Sequence, residues 1–334
     1  MGSEAMVSWM FLGLSLWGAW FTWNAYRPIY RPAPLATVSF FAGWFTAELA
    51  VHHIVWQLAA TFAFAWAGAL HEWPGRVGFA ITIASWAALY RCHGRAREAI
   101  EVMEEALVAA LGPDYRRELP PALRDRLEPE VDWRRLALPF RMRHPDVTRV
   151  RNLEYAQVGK TRLRLDVYHH RDRPTGCPVL LQVHGGAWIL GSKDEQGLPL
   201  MHHLAARGWV CVSINYRLSP AATFPDPIVD VKRAIAWIRE HAAEYGADAS
   251  FLVITGGSAG GHLSALAALP ANDPEWQPGF EHVDTHVDAC VAFYGVYDFT
   301  DSQGHYHHHG LARLLERQVM KVAFKTERAK YERA

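Results

Sequence analysis

Charged residues are scarce in the first 90 residues of this 334-residue chain. Only six Asp, Glu, Lys or Arg side chains occur there: Glu4, Arg27, Arg31, Glu48, Glu72 and Arg76. A segment so poor in charge is unlike an ordinary water-exposed surface, so we expect it to lie in a different environment from the remainder. The formal net charge of the whole chain is zero, which argues against a nucleic-acid partner because such partners require a basic patch.

Cysteines are also few. The four residues Cys92, Cys177, Cys211 and Cys290 show neither the close spacing of zinc ligands nor a pairing pattern. Because Cys211 and Cys290 fall inside apolar runs, we expect buried thiols. The composition therefore predicts no disulfide framework, no metal and no other cofactor.

The N-terminal region, predicted as residues 1–92, contains three apolar segments. Residues 6–26 carry no charge and reach the ~20 residues needed to cross a bilayer. A cleaved signal peptide is the competing interpretation, but no Lys or Arg precedes the segment, and the apolar core of a signal peptide is only ~7–15 residues long. Residues 35–70 form one tilted helix or a helical pair, and residues 77–90 suit an interfacial or buried helix. We predict a membrane anchor with two or three spans.

Arginines follow the first apolar segment. Arg27 and Arg31 come after it, whereas only Glu4 precedes it. The positive-inside tendency then places the connection 27–34 in the cytoplasm. The side on which the rest of the chain lies depends on how many crossings follow, and the sequence leaves that number open.

Residues 93–148 form a predicted connector, with an amphipathic helix ending near Leu111 and then an Arg- and Pro-rich linker or cap. From residue 149 to residue 334, short apolar runs alternate with helix-like stretches. The predicted strands are 150–156, 161–168, 179–183, 210–215, 251–255 and 289–294, the first two joined as a hairpin. Continuously apolar strands separated by helices predict a mostly parallel sheet with helices on both faces, an α/β fold.

A Gly-x-Ser-x-Gly pattern, residues 256–260, directly follows the predicted strand 251–255 and directly precedes a helix-like stretch. A strand that enters a helix through such a turn is a nucleophile elbow. The small residues Gly256 and Gly260 let the backbone bend sharply enough to present the hydroxyl of Ser258. This pattern predicts a serine hydrolase.

A second glycine-rich loop supports that prediction. Residues 184–188, His-Gly-Gly-Ala-Trp, follow the predicted strand 179–183. A tetrahedral intermediate places negative charge on the former carbonyl oxygen, and main-chain N–H groups from two loops can stabilise it there. Both loops fall at the carboxyl ends of their strands, where ligands bind in parallel sheets.

These motifs, with residues 215–218 (Asn-Tyr-Arg-Leu), Asp230 and residues 294–298 (Tyr-Gly-Val-Tyr-Asp), resemble the hormone-sensitive-lipase-like esterases of the α/β-hydrolase fold. Within that group the chain resembles the membrane-anchored actinobacterial and mycobacterial lipases and esterases. The resemblance implies Ser258 as the nucleophile. It places the oxyanion hole at Gly185, Gly186, Ala187 and Ala259, with Ala187 standing where the usual pattern has a third glycine. His184, Gly256 and Gly260 shape the two loops.

The resemblance also implies an acid and a histidine base on loops after two further strands. The chain ends 76 residues after Ser258, and we find no such loops, so we predict that it is C-terminally truncated. Two substitutes within the chain are Asp298 as the acid and one of the histidines at 305, 307, 308 and 309 as the base. Those four histidines could also bind a metal, but a polar surface loop fits them better.

We predict an ester hydrolase that forms an acyl-enzyme on Ser258 and acts on short- to medium-chain acyl esters or lipids reached from a membrane. Two alternatives stay open. An aryl formamidase or a peptidase of the same fold would use the same loops. A catalytically inactive membrane-bound binding or scaffold protein would explain the missing acid and base.

Overall fold

The computed structural model describes residues 2–124, 134, 137–140, 142–306 and 310–334. Contacts between residues divide the chain into two compact units, Met1–Ala137 and Leu138–Ala334. The first unit is helical, and the second is built around a six-stranded sheet.

The helical unit contains four longer helices followed by three shorter ones. Their bounds are α1 Ser3–Tyr26, α2 Ala33–Glu48, α3 Ala50–Trp66, α4 Trp73–Gly94, α5 Glu98–Leu111, α6 Tyr115–Glu118 and α7 Pro121–Arg124. The second apolar segment is thus a helical pair, one of its two predicted forms, and α2 and α3 are bent by 91° at the break between them. Among the described helices, α1 is long and apolar enough to cross a membrane by itself, and α2 with α3 passes the same criterion only as a bent pair.

Helices α1 and α4 run side by side in the same direction. The Ser8 hydroxyl donates a hydrogen bond to the Ala69 carbonyl, just before α4, over 2.7 Å. Farther along, Thr22 and Ser85 share a hydrogen bond of 2.6 Å, and near the end the Tyr26 hydroxyl donates to the Ala88 carbonyl over 2.6 Å. Because the partners rise in number together, the two helices are parallel.

Helix α3 runs in the opposite direction to α1. The ring of Phe64 stacks on Phe11 near the start of α1, whereas the ring of His53 lies beside Phe21 near its end. The helical unit therefore places the connection 67–72 at the starting end of α1. The connection 27–32 and the exit after α4 lie at the other end.

The second unit carries the sheet, in the order β1-β2-β4-β3-β5-β6. The strands are β1 Val147–Val158, β2 Thr161–His170, β3 Cys177–Val183, β4 Val210–Ile214, β5 Ala247–Gly257 and β6 Ala289–Phe293. Strands β1 and β2 form the predicted hairpin, and β2 is also antiparallel to β4. The pairs β3–β4, β3–β5 and β5–β6 are parallel, which confirms the mostly parallel sheet.

Helices cover both faces of this sheet. They are α8 Leu198–Ala205, α9 Asp226–His241, α10 Ala259–Ala268, α11 Gly310–Leu314 and α12 Arg328–Arg333. The larger apolar core contains α9 and α10 residues such as Ile235 and Leu263, while α8 packs through Met201 against a separate cluster that includes Leu180. Apolar side chains thus leave β3 on both faces, as expected for a central strand of an α/β fold.

The structure agrees only in part with the prediction of buried thiols. Cys177 and Cys211 are buried, whereas Cys92 and Cys290 are partly exposed, and all four are unpaired thiols. Burial raises the pKa of the Cys211 thiol, so this side chain behaves as a small apolar residue.

Candidate active site

Ser258 occupies a sharp turn between β5 and α10. Its φ is 57° and its ψ is −121°, a conformation that residues with a Cβ rarely adopt and that costs of order 1–3 kcal/mol. The turn is held by the Ser258 N–H, which donates to the Phe293 carbonyl at the end of β6 over 3.0 Å. The side chain is partly exposed, and no hydrogen bond joins its hydroxyl to any other residue in the described part of the chain. This is the geometry of a nucleophile elbow.

The loop 184–188 lies directly against this turn. A Cβ built on Gly185 would lie 3.3 Å from the Ser258 Cβ and 2.6 Å from the Gly257 carbonyl oxygen. Only a residue without a side chain fits between the two loops. The glycine at 185 therefore allows the second loop to approach the serine closely.

Three main-chain N–H groups of the two loops are unbonded in the part of the chain that the structure describes. Within the described ranges, the N–H groups of Gly186, Ala187 and Ala259 have no hydrogen-bond acceptor in the protein. Ala187 and the following Trp188 both have positive φ values, 53° and 62°. Two successive non-glycine residues with positive φ are uncommon, and backbone strain of this kind is concentrated at functional sites.

Gly185 differs from its predicted role in one respect. Its N–H donates to the Oε1 atom of Gln196 over 2.7 Å, so this group is occupied and does not serve as an oxyanion donor. The prediction that placed Gly185 within the oxyanion hole is corrected to a role in shaping the loop.

His184 is a buried, loop-shaping residue. Its ring stacks on Tyr216 at a centroid distance of 4.4 Å, and its Nδ1 lies 2.8 Å from the Gly185 carbonyl oxygen. The Tyr216 hydroxyl in turn donates to the His184 carbonyl over 3.0 Å. Burial lowers the pKa of His184, which keeps the ring neutral at pH 7. These contacts fix the ring and the main chain of His184 within the loop.

Asp298 has its carboxylate bound within its own loop. One oxygen accepts from the N–H and hydroxyl of Thr300 over 2.9 and 2.6 Å, and the other accepts from the N–H and hydroxyl of Ser302 over 2.7 and 2.8 Å. The Thr300 hydroxyl bond and the other donors lower the pKa of Asp298 to about 2. No histidine of the described ranges contacts it. This carboxylate organises a turn, and the structure offers no sign that it orients a base.

Of the four late histidines, the structure describes His305. His305 is exposed, and His307, His308 and His309 lie outside the described residues. Across the described ranges, no group of three or more His, Cys, Asp or Glu residues has the geometry to hold a metal ion.

Residues 165–334 match the protein family BD-FAE. This chain belongs to the BD-FAE family. It is 43% identical over 312 residues to the probable carboxylic ester hydrolase LipM of Mycobacterium tuberculosis, an alignment that covers 90% of this chain and 69% of LipM. It is 39% identical over 302 residues to the esterase LipQ of the same organism, covering 89% of this chain and 66% of LipQ.

The BD-FAE chain thus spans about two thirds of the length of these relatives. A solved structure of a thermophilic esterase from Thermogutta terrifontis, with butyrate bound, is 25% identical to it; the two share a TM-score of 0.44 over 59% of this chain and 80% of that chain. The match to LipM, over most of both chains, identifies this BD-FAE member as a carboxylic ester hydrolase of the α/β-hydrolase fold.

Two side chains hold the loop after Trp188 and were not among the residues predicted from the sequence. Gln196 binds the Gly185 N–H. Lys193 is 2% exposed, and its ammonium group lies 2.8 Å from the carboxylate of Asp166, which is fully buried. The main chain of Lys193 is also bound, since its N–H donates to the side chain of Asn215 over 2.8 Å. No local motif marks such partners, because they lie far apart in the sequence.

A second buried ion pair joins the segment after β4 to helix α9. Arg217 donates from Nε and Nη2 to the two oxygens of Asp230, over 2.7 and 2.8 Å, and its N–H adds a third bond of 3.0 Å. Asp230 is fully buried. A paired, fully hydrogen-bonded charge of this kind fixes the segment that follows β4, because breaking it leaves an uncompensated charge in the interior.

His262 is a buried histidine of α10, the helix that follows the Ser258 turn. Its Nδ1 accepts from the Trp188 indole N–H over 3.2 Å, so the proton sits on Nε2, which faces the main-chain oxygen of Ala334 at 2.6 Å. The ring also stacks on Phe299. Burial lowers the pKa of His262 to about 4, and the Ala334 hydrogen bond only partly opposes this shift.

We expect the free energy of unfolding to fall on acidification because of His262. Burial disfavours the charged His262 ring in the folded state, whereas the same ring has a pKa near 6.5 in the unfolded chain. The folded state is therefore most stable above pH 6.5 and loses stability as the pH falls towards 4. The expected loss is about 3 kcal/mol. Denaturant titrations between about pH 7 and pH 4 measure it, with His262→Gln as the comparison. An unchanged pH dependence in that variant would contradict the assignment.

Proposed function

We propose that Ser258 is the nucleophile of this ester hydrolase and that the reaction proceeds through an acyl-enzyme. The Ser258 Oγ attacks the ester carbonyl carbon, and the carbonyl oxygen becomes an oxyanion. The alcohol leaves as the tetrahedral intermediate collapses, and water then hydrolyses the acyl-serine. The observation that carries this proposal is the close contact between the two loops at Gly185 and Ser258, since one loop carries an unbonded hydroxyl and both carry unbonded N–H groups.

The N–H groups of Gly186, Ala187 and Ala259 are the proposed oxyanion donors. They come from two separate loops and point to no acceptor among the described residues, so they are available for charge that develops in the transition state. Removing one such donor typically costs ~10²–10³-fold in turnover. The residues that accept and return the serine proton are not assigned to any described side chain.

The proposed substrates are short- to medium-chain acyl esters or lipids. Two apolar side chains flank the serine loops and are free to contact an acyl group. Leu190 is 59% exposed, and its main chain lies against Gly186. Tyr294 is 73% exposed, and its hydroxyl would lie 2.6 Å from a Cβ built on Gly257. An apolar rim around a polar reaction centre suits an ester with a hydrocarbon chain.

A fluorophosphonate probe tests the nucleophile directly. We expect any covalent adduct that the purified 334-residue chain forms to lie on Ser258, where mass spectrometry of its peptides would locate it. Probe reaction requires an activated serine. An adduct on another serine would contradict the assignment, and the absence of any adduct would favour the inactive binding or scaffold protein. Comparing p-nitrophenyl esters with N-formyl anilides as substrates separates an esterase from a formamidase.

The helical unit is the proposed membrane anchor. The residues of α1 that are buried are mostly small or polar, namely Ser8, Phe11, Ser15, Gly18, Thr22 and Asn24. Most of the exposed residues of the same helix are large and apolar, such as Trp17 and Trp23. A helix of a water-soluble bundle has the opposite distribution, whereas membrane helices associate through small residues and interhelical hydrogen bonds.

Two competing interpretations of α1 fit these contacts less well. A core helix of a soluble protein would be mostly buried, but only 28% of the most apolar window of α1 is buried. A cleaved signal peptide would not be an integral part of the folded unit, yet the Thr82 hydroxyl of α4 donates to Ser15 over 3.0 Å. Interhelical bonds of this kind support an anchor that stays with the protein.

A further inference from the structure

The direction of each helix in the anchor bears on the side of the membrane at which the hydrolase unit lies. The sequence leaves this open because the number of crossings is undetermined. In the structure, α1 and α4 are parallel and α3 is antiparallel to both, as their side-chain contacts show. A chain that traverses three such helices enters and leaves the bundle at opposite ends.

Helix α4 occupies the same depth as α1, although its uncharged stretch is shorter. It contacts α1 from the level of Trp9 to the level of Tyr26, so a bilayer around α1 also surrounds α4. Arg76 and Arg91 lie near the two ends of α4, where long cationic side chains can extend to the headgroups. Helix α3 has 17 residues, the lower limit for a span. The three helices therefore share one depth range, and each is long enough for a crossing.

Aromatic residues mark both ends of this bundle. Trp9 of α1 and Trp73 of α4 pack edge to face at one end. Tyr26 and Tyr90 lie at the other end, and both are exposed. Trp and Tyr are enriched at the two interfaces of a bilayer. From Trp9 to Tyr26 the helix rises about 26 Å at ~1.5 Å per residue, close to the ~30 Å of the hydrocarbon core.

Positive charge is concentrated at one end of the bundle. The arginines at the end where the chain leaves α4 are Arg27, Arg31, Arg91, Arg95 and Arg97. At the opposite end the described cationic residue is Arg76, beside the acidic residues Glu4 and Glu72. Short connections rich in Lys and Arg stay in the cytoplasm.

We infer that the anchor crosses the membrane three times, with the N-terminus outside and the hydrolase unit in the cytoplasm. This inference rests on the proposed membrane anchor and is independent of the role of Ser258. Beyond α4 no described helix could cross: α5 has 14 residues and carries charges in its first turn. The ester substrates of this enzyme are then those that reach the cytoplasmic leaflet or the cytosol.

Labelling of single cysteines tests the inference in the full chain. The background variant carries Cys92→Ser and Cys290→Ser, which removes the two partly exposed thiols and keeps the two buried ones. One reporter is Gly2→Cys, ahead of α1, and the other is Lys160→Cys, in the exposed turn between β1 and β2. Protoplasts of an expressing bacterium are treated with a membrane-impermeant maleimide before and after permeabilisation.

We expect Gly2→Cys to react fully in intact protoplasts and Lys160→Cys to react at least about tenfold more after permeabilisation. Reaction of Lys160→Cys in intact protoplasts would overturn the inferred orientation. Recovery of the chain in the supernatant of an alkaline carbonate wash would overturn the membrane anchor as well. The fluorophosphonate adduct on Ser258 is read separately, so a failure of the proposed nucleophile is distinguishable from either result. Ser250→Cys, at a second exposed position of the hydrolase unit, should behave like Lys160→Cys.

Discussion

Replacing Ser258 by alanine is expected to lower ester turnover by about 10⁵–10⁶-fold, to the level left by binding and the oxyanion donors. The change removes the attacking oxygen and leaves both loops in place. Initial rates with p-nitrophenyl butyrate, measured for the unaltered chain and for the variant, give the ratio. Ser250→Ala, an exposed serine of β5, is the matched control and should retain full activity. Substantial turnover in Ser258→Ala would remove the proposed mechanism.

Ser258→Gly separates the chemistry from the backbone strain at this position. Glycine adopts φ values near 57° without the penalty that a Cβ brings. The glycine variant should therefore be as inactive as the alanine variant but more stable, by of order 1 kcal/mol. Denaturant titrations of the two variants measure this difference. If alanine proves the more stable of the two, the turn holds no strain at Ser258.

Replacing Gly260 by alanine is expected to lower the free energy of unfolding strongly. A Cβ at this position would lie 2.1 Å from the Val183 carbonyl oxygen and 2.6 Å from that of His184. Both contacts are to main chain, so no side chain can rotate away. The first turn of α10 would have to move off β3, and we expect a loss of more than about 4 kcal/mol, which is exceptional for one substitution.

The control for Gly260→Ala lies in the same helix. Ala265 is a partly buried residue of α10, and Ala265→Gly should cost only about 1 kcal/mol through helix propensity. Denaturant midpoints of the two variants, compared with the unaltered chain, test the difference. Equal losses would mean that the close approach of α10 to β3 does not limit stability.

The elbow was predictable from sequence because its geometry depends on neighbouring residues. A strand, a small-residue turn and a helix follow one another without interruption, and each has a local signal. The fate of the Gly185 N–H was not predictable. It depends on Gln196, which comes close only when the chain after Trp188 folds back on the sheet. The buried pair of Lys193 and Asp166 is likewise visible only after β2 and β4 have paired.

The tertiary contacts of the helical unit were likewise not predictable from the sequence. Its low charge predicts membrane helices, but two segments of similar composition on either side of Leu49 gave no sign of their 91° bend. Apolar residues on all sides of a helix remove the periodic pattern that would reveal which face packs inward. The direction of α3 and α4 relative to α1 therefore had to come from tertiary contacts.

The loop that carries Gly186 and Ala187 is braced from three directions before any substrate arrives. The stacked ring of His184, the side-chain oxygen of Gln196 and the buried ammonium of Lys193 all hold it. The proposed oxyanion donors, if fixed in this way, need little reorganisation when charge develops on the substrate, so the cost of orienting them falls on folding and not on each catalytic cycle. Bound phosphonates that mimic the tetrahedral state should accordingly leave the path of this loop unchanged.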